Sequence, residues 1–285
     1  VSARRLNGRE VAERIRDGLQ RAIESRPAGL PLPSLAVVHV GDDAGAAAYR
    51  WNLERQWLTV GGEWRTVTWP ANITAVDAGA ALARLSADHG VHGVLLQQPL
   101  PAHLLEAELW QHLDPAKDPE GMHPLNLGRR WLGGDGPAPC TAMAVMRLLN
   151  AHALPVRGQH VVVVGRSPEV GKAIAQEMLR ADATVTVCHS RTADLGRHTR
   201  QADILVSAVG RAGLIHPEMV REGAVVVDVA TVAGPDGRLT GDVVPDVAEK
   251  AAWLSPVPGG VGPVTVALLM AAVVRSAGIL VDDGF

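Results

Sequence analysis

The chain has 285 residues, 47% hydrophobic and 20% charged, the balance of a globular protein with room for two ordinary domains. A formal net charge of −3 leaves no electrostatic footprint for nucleic acid or an anionic membrane, and no uninterrupted apolar stretch reaches membrane-spanning length. Val1 to Arg16 mixes charges with aliphatics unlike a leader, and Cys140 and Cys188 lie far apart without metal-ligand spacing, so a cytoplasmic protein with reduced thiols and no metal is expected.

Residues 4–25 carry Val11, Ile15, Leu19, Ala22 and Ile23 at helical spacing, which predicts a helix ended by Pro27, Pro31 and Pro33. Leu35 to Val40 reads as a buried strand closed by Gly41. Asp42 to Ala46 reads as a turn, Ala47 to Val60 as a helix, Glu63 to Trp69 as a strand, Ala75 to His89 as a helix and Gly93 to Gln97 as a strand. That alternation predicts a parallel sheet. Gln98 to Pro139 is rich in Pro, Gly and Asp and reads as loops around short helices, and Thr141 is expected to cap a helix running to about His152.

Residues 160–192 then show an apolar run from His160 to Val164, the loop Gly165 to Gly171, a helical stretch and a second apolar run ending at Cys188, His189, Ser190 and Arg191. A strand, a glycine-bounded turn, a helix and a strand are how a doubly wound sheet holds a dinucleotide: glycines let backbone approach a pyrophosphate, and the helix start offers N–H groups and a positive dipole end. The turn has two glycines rather than the three of Gly-x-Gly-x-x-Gly, so the flanking elements carry most of the argument. An NAD site places an acidic residue about 20 residues past the loop. Here the second strand ends in Ser190 and Arg191, with Arg166 in the loop, and a hydroxyl with two guanidinium groups suits the 2′-phosphate of NADP.

Ile204 to Ala208 and Ala224 to Val229 continue as strands, Pro256 to Pro263 as a tight loop, and Val264 to Ala277 as a last helix. The fold class expected is α/β with two domains: a substrate domain over 1–138 plus 266–285, and a Rossmann-like NADP domain over 139–265, with a cleft between them. His123 and His189 read as polar loop residues, Trp51 and Trp57 as packing residues, and Lys172 as a solvated helix-start lysine.

Several segments together resemble one family, the bifunctional methylenetetrahydrofolate dehydrogenase/methenyltetrahydrofolate cyclohydrolases (the FolD family). They are Gly93 to Pro101, Asp114 to Asp118, Gly121 to Gly128, Pro139 to Thr141, the Gly165–Gly171 loop and Pro256 to Thr265. The resemblance implies a homodimer that binds NADP and a one-carbon tetrahydrofolate derivative. It implies catalytic roles for Tyr49, Gln97 and Glu120, and folate contacts from Tyr49, Leu53, Gln97, Pro99, Glu120, Pro258, Gly259 and Gly262. For NADP it implies Gly165, Arg166, Ser167, Val170, Gly171, Ser190, Arg191 and Thr231.

Two positions depart from the family pattern. The family's acid-base lysine, four residues after the tyrosine, is Leu53, and the aspartate that holds the pterin is Glu120. Arg55 lies about 200° further round a helix from Leu53 and keeps its proton, so it makes a poor replacement. Hydride transfer from 5,10-methylenetetrahydrofolate is driven by the neighbouring nitrogen lone pair and abstracts no proton. Cyclohydrolysis needs proton removal and delivery, and loses about 10²–10⁴-fold without its acid-base group. The expected activity is NADP-dependent dehydrogenation with weak or absent cyclohydrolase. Two other readings stay open: a folate site repurposed for another reaction, such as hydrolysis of a one-carbon folate, and a non-catalytic folate or nucleotide binder.

Overall fold

Near-continuous aliphatic runs make strands that can be buried on both faces, and Leu35–Val38, Val161–Val164, Ile204–Val206 and Val225–Val227 are such runs. The computed structural model describes residues 2–41, 44–105, 109–234 and 237–281. In chain order come β1 (Arg4–Arg5), α1 (Gly8–Glu24), β2 (Ser34–Val40), α2 (Ala44–Thr59), β3 (Glu63–Trp69), α3 (Ala75–Ala87), β4 (Gly93–Leu96), α4 (Ala102–Leu105), α5 (Pro124–Trp131) and α6 (Cys140–Ala151). They are followed by β5 (His160–Val164), α7 (Ala173–Arg180), β6 (Thr184–Cys188), α8 (Leu195–Thr199) and β7 (Ile204–Ser207). The last elements are β8 (Val225–Asp228), β9 (Val232–Ala233), β10 (Leu239–Thr240), β11 (Trp253–Leu254) and α9 (Val261–Ser276).

The chain forms two compact units. The first joins Val1–Glu13 to Pro139–Thr265, the second joins Arg14–Ala138 to Val266–Phe285, and two of the three divisions fall inside α1 and α9.

The second unit holds a three-stranded parallel sheet in the order β3-β2-β4, with Val38 level with Val67 and Leu96. Val38, Leu82, Val94, Leu96, Leu104 and Leu113 form part of one buried cluster against Trp69. Gly93 opens β4 because a methyl there would come within 2.7 Å of the Val273 side chain, so its absence lets α9 close on the sheet. At the end of α2, Trp57 is completely buried and its indole N–H donates to the Glu63 carbonyl at 2.7 Å, joining the helix to the start of β3.

The first unit holds a six-stranded sheet in the order β1-β11-β8-β7-β5-β6, every pairing parallel. The chain passes from β5 through α7 to β6 on one side, then crosses to β7 on the other. The strand order therefore reverses between β5 and β7, the switch point where open α/β sheets bind ligands beyond the strands' carboxyl ends. Val162, Leu205 and Val226 anchor the core on three neighbouring strands.

The structure corrects four sequence expectations. Arg4 and Arg5 are strand, not helix: they pair with Trp253 and Leu254, and the Arg4 guanidinium lies 5.3 Å from the Trp253 ring centroid. Residues 2–13 thus pack with the first unit, not with 14–138, because a two-residue strand takes its identity from a partner at the far end of the chain. Thr141 does not cap α6, which starts at Cys140 after Pro139 and makes no side-chain cap bond. Asp42 and Asp43 of the expected turn lie outside the described residues, and its remainder is already helix, since α2 starts at Ala44. The last helix starts at Val261 rather than Val264, inside the expected loop.

A methyl group at Gly62 would stand 2.1 Å from Trp57 Cε2, against an indole with nowhere to go. Gly62→Ala is expected to lower the stability of the second unit by about 1–3 kcal/mol. Urea denaturation followed by tryptophan fluorescence reads the change, and an unaltered midpoint would disprove the tight seat assigned to Trp57.

Candidate active site

Parallel strands deliver their following residues to one edge of the sheet, and Gln97 and Pro99 lie there, just after β4. Gln97 comes directly after β4 and is 4% exposed, its backbone N–H donating to the Val38 carbonyl of β2 at 2.9 Å. Its amide N–H donates to the Ala46 carbonyl on α2, and its Oε1 accepts from Arg50 Nη1 at 3.1 Å. Both ends of a buried amide are therefore held by one helix, which removes the desolvation cost of burying it.

On α2, Tyr49 is 43% exposed and Leu53 only 1%. Leu53 contributes volume and dryness, and no proton. Arg55 turns toward Trp51, with its guanidinium 5.1 Å from that ring's centroid, as its place on the helix required. Of the two tryptophans expected to pack, Trp57 is core, while Trp51 stands 63% exposed with Arg55 across its face. Sequence reasoning passed over Arg50. The available signal was its spacing, since it adjoins Tyr49 and lies one helical turn before Leu53.

Pro99 follows a cis peptide bond after Gln98. Glu120 is half-buried in a loop organised by Asp118. The Asp118 carboxylate accepts from the backbone N–H groups of Glu120 at 3.1 Å and His123 at 2.7 Å, and from Asn126 Nδ2 at 3.2 Å. Burial pushes the Asp118 carboxyl above its ordinary value while those donors pull it back. His123 caps α5, its Nδ1 accepting from the Leu125 N–H at 3.0 Å, which is the polar loop role expected of it.

In the first unit, the β5 turn is packed backbone against backbone. Gly165 has φ +129°, and a side chain there would come 2.4 Å from the Ala208 carbonyl after β7; one at Gly171 would come 2.3 Å from the Gly165 carbonyl. Only glycine permits either approach. Gly165 also donates its N–H to the Cys188 carbonyl at 2.9 Å, so the turn touches the ends of both neighbouring strands. Ser167 starts the helical segment without a side-chain cap bond. Arg166, Ser190, Arg191 and Thr231 are exposed, and Val170 is half-buried in the π-type turn Pro168–Lys172. This cradle, with basic side chains at its rim, fits a dinucleotide. His189 holds the β6 exit, its Nδ1 accepting from the Arg191 N–H at 3.2 Å.

Two buried carboxylates brace the same edge. Asp228, at the end of β8, accepts from the N–H groups of Asp242 at 3.1 Å and Val243 at 2.9 Å, and from that of Ala230 beside Thr231. Asp242 accepts from Ser207 Oγ at 2.8 Å and from the N–H groups of Val209 at 2.9 Å and Arg211 at 2.7 Å. Burial pushes the Asp228 carboxyl up to about 6. Pro258, which follows a cis bond, Gly259 and Gly262 also belong to this unit, and the Gly259 carbonyl accepts from the Gly8 N–H at 2.9 Å.

A parallel α/β protein in two units, with a dinucleotide turn at the switch point of one sheet and a buried glutamine at the strand ends of the other, is the class this fold defines. Residues 6–120 match the catalytic domain of tetrahydrofolate dehydrogenase/cyclohydrolase, and residues 139–280 match the NAD(P)-binding domain of the same enzymes. The chain belongs to the tetrahydrofolate dehydrogenase/cyclohydrolase family, and its first unit is an NAD(P)-binding domain. It is similar to the bifunctional protein FolD of Thermus thermophilus, 44% identical over 277 residues that cover 97% of each chain. Among solved structures it resembles the bifunctional FolD dehydrogenase/cyclohydrolase of Campylobacter jejuni, with 35% identity, a TM-score of 0.95, and 97% and 99% of the two chains covered. It also resembles the FolD of Trypanosoma brucei complexed with NADP and an inhibitor, with 35% identity, a TM-score of 0.91 and 98% of each chain covered.

Gly171→Ala is expected to weaken dinucleotide binding by about tenfold or more, because the turn must open by about an ångström to admit the methyl. Titration of tryptophan fluorescence with NADPH tests this, and wild-type affinity would contradict the geometry. Asp228 supplies a pH test. Its folded pKa of about 6 exceeds the unfolded value of 3.8, so the folded form keeps a proton that the unfolded chain loses. This group therefore makes the protein less stable as pH rises from about 4 to about 6, and adds no slope above that window. The difference in urea midpoint between the natural protein and Asp228→Asn, measured from pH 4.5 to 7.5, is expected to change below about 6.5 and stay level above it.

Proposed function

We propose that this protein oxidises 5,10-methylenetetrahydrofolate to 5,10-methenyltetrahydrofolate with NADP⁺, and that its cyclohydrolase activity is weak or absent. The observation that carries the proposal is Leu53, 1% exposed at the place where the family resemblance puts the acid-base lysine, together with a retained Gln97 whose amide nitrogen and oxygen are both hydrogen-bonded.

NADP⁺, when bound, supplies the hydride acceptor at its nicotinamide ring. The Gly165–Gly171 turn holds the pyrophosphate, while Arg166, Ser190 and Arg191 serve the 2′-phosphate, since all three are exposed at the strand ends. The NADP complex of the Trypanosoma brucei relative supports the choice of nucleotide. Tyr49 provides a flat face for the folate, and Gln97 a buried amide whose orientation Ala46 and Arg50 set. Glu120 stands where the family's pterin-holding aspartate does, one methylene longer.

In the reaction the methylene carbon gives up a hydride with both bonding electrons, and the adjacent nitrogen lone pair becomes the C=N π bond. The ligand leaves with one more positive charge than it brought. No protein group need take a proton, so losing the lysine spares this step. Hydration of the methenyl carbon and the C–N cleavage that follows both move protons, and neither Leu53 nor Arg50 can relay them. A homodimer in the cytoplasm completes the proposal, following the family resemblance.

The test follows 5,10-methylenetetrahydrofolate and NADP⁺ with purified protein, recording NADPH, methenyl and 10-formyl products separately. NADPH is expected to appear in step with methenyl product, while formyl formation falls short of it by about 10²-fold or more. Leu53→Lys is expected to raise enzyme-dependent formyl formation. Formyl product keeping pace with NADPH in the natural protein would sink the monofunctional reading, and no NADPH at all would sink the dehydrogenase reading.

A further inference from the structure

Arg50 is the cation that the Gln97 site retains. On α2 it follows Tyr49 and precedes Leu53 by three residues, one helical turn, so it rises from the same side as Leu53. It is half-buried, and its Nη1 donates to the oxygen of a side chain that is itself 4% exposed. The other end of that amide is committed to the Ala46 carbonyl. Gln97 therefore cannot flip its amide without losing both bonds, one of them charge-assisted, and Arg50 is tied to the carboxyl end of β4.

A guanidinium keeps its proton throughout the working pH range of a protein. The proposed oxidation adds one positive charge to the ligand, and half-buried charges are poorly screened by salt.

We infer that Arg50 determines ligand preference in this site: it positions Gln97 and, as a permanent cation, makes the site bind a folate uncharged at its pterin in preference to the methenyl product, which is cationic there. The inference rests on the folate reading above and deepens it. Substrate enters against no charge penalty. Oxidation moves the positive charge from the nicotinamide to the folate, next to the fixed cation, so the product is driven out rather than retained for a hydrolytic step.

Two variants separate charge from hydrogen bonding. Arg50→Gln keeps an amide donor without charge, and Arg50→Lys keeps the charge. Calorimetry would measure binding of 5-formyltetrahydrofolate, which carries no charge at the pterin, and of 5,10-methenyltetrahydrofolate at mildly acidic pH, where the cation persists. Product inhibition would be compared with the KM for 5,10-methylenetetrahydrofolate. Arg50→Gln is expected to bind the cation about tenfold more tightly and the neutral folate within about threefold of the natural protein, lowering the ratio of inhibition constant to KM by about tenfold. Arg50→Lys is expected to restore the natural ratio.

An unchanged ratio in Arg50→Gln would overturn the inference, as would an equal loss of both ligands, the mark of a merely structural residue. A ratio in Arg50→Lys that follows Arg50→Gln would overturn the charge argument. If the natural protein binds 5-formyltetrahydrofolate but makes no NADPH, the dehydrogenase reading fails while the binding comparison still decides the role of Arg50. If it binds neither folate, both readings fall.

Discussion

A parallel strand can pair only with a neighbour reached by a crossover, so every strand leaves its sheet at the same edge and that edge collects the loops. Nearly all the chemistry of this chain follows from that constraint. Gln97 is the residue after β4, Gly165 the residue after β5, Ser190 and Arg191 lie just past β6, and Asp228 ends β8. In the six-stranded sheet the constraint acts twice, because the reversal between β5 and β7 brings Gly165 against Ala208 and leaves room for a ligand where the two crossovers diverge. Glycine at 165 and 171 is the local price of that closeness.

Loops gathered at one edge expose backbone groups that need partners, and buried carboxylates meet much of the need. Asp118 collects the N–H groups of Glu120, Gly121 and His123, Asp228 collects those of Ala230, Asp242 and Val243, and Asp242 gathers those of Val209 and Arg211. Each carboxylate accepts several bonds at once, which offsets much of its burial and gives irregular segments one conformation. Candidate residues such as Glu120 and Thr231 owe their places to these neighbours. A loop that depends on a buried acid is also where proton uptake reaches the fold, and the raised pKa of Asp228 marks one such place.

The second unit shows how one helix can hold a buried amide at a strand end. With leucine at 53 no titratable amine is present, yet Gln97 still has a cationic partner because Arg50 approaches from one turn earlier on the same helix. A guanidinium can replace an ammonium as a hydrogen-bond donor and as a charge, but not as a proton carrier. On the reading proposed above, binding and hydride chemistry tolerate that exchange. Proton-relay chemistry does not.

By itself the sequence determined the alternation of strands and helices, the glycine-bounded turn after His160–Val164, the basic end of the second strand and the absence of lysine at 53. All of these are written in short stretches where period, φ preference or residue type decides the outcome. Tertiary structure alone decided that Arg4 and Arg5 are a strand, since two residues carry no period and their partner is Trp253–Leu254. It likewise decided that Pro139 rather than Thr141 stands at the start of α6, and that Arg50 rather than Arg55 reaches Gln97. An arginine side chain spans more than a helical turn, so sequence spacing narrows its choice of partners, but only packing of α2 against the end of β4 selects one.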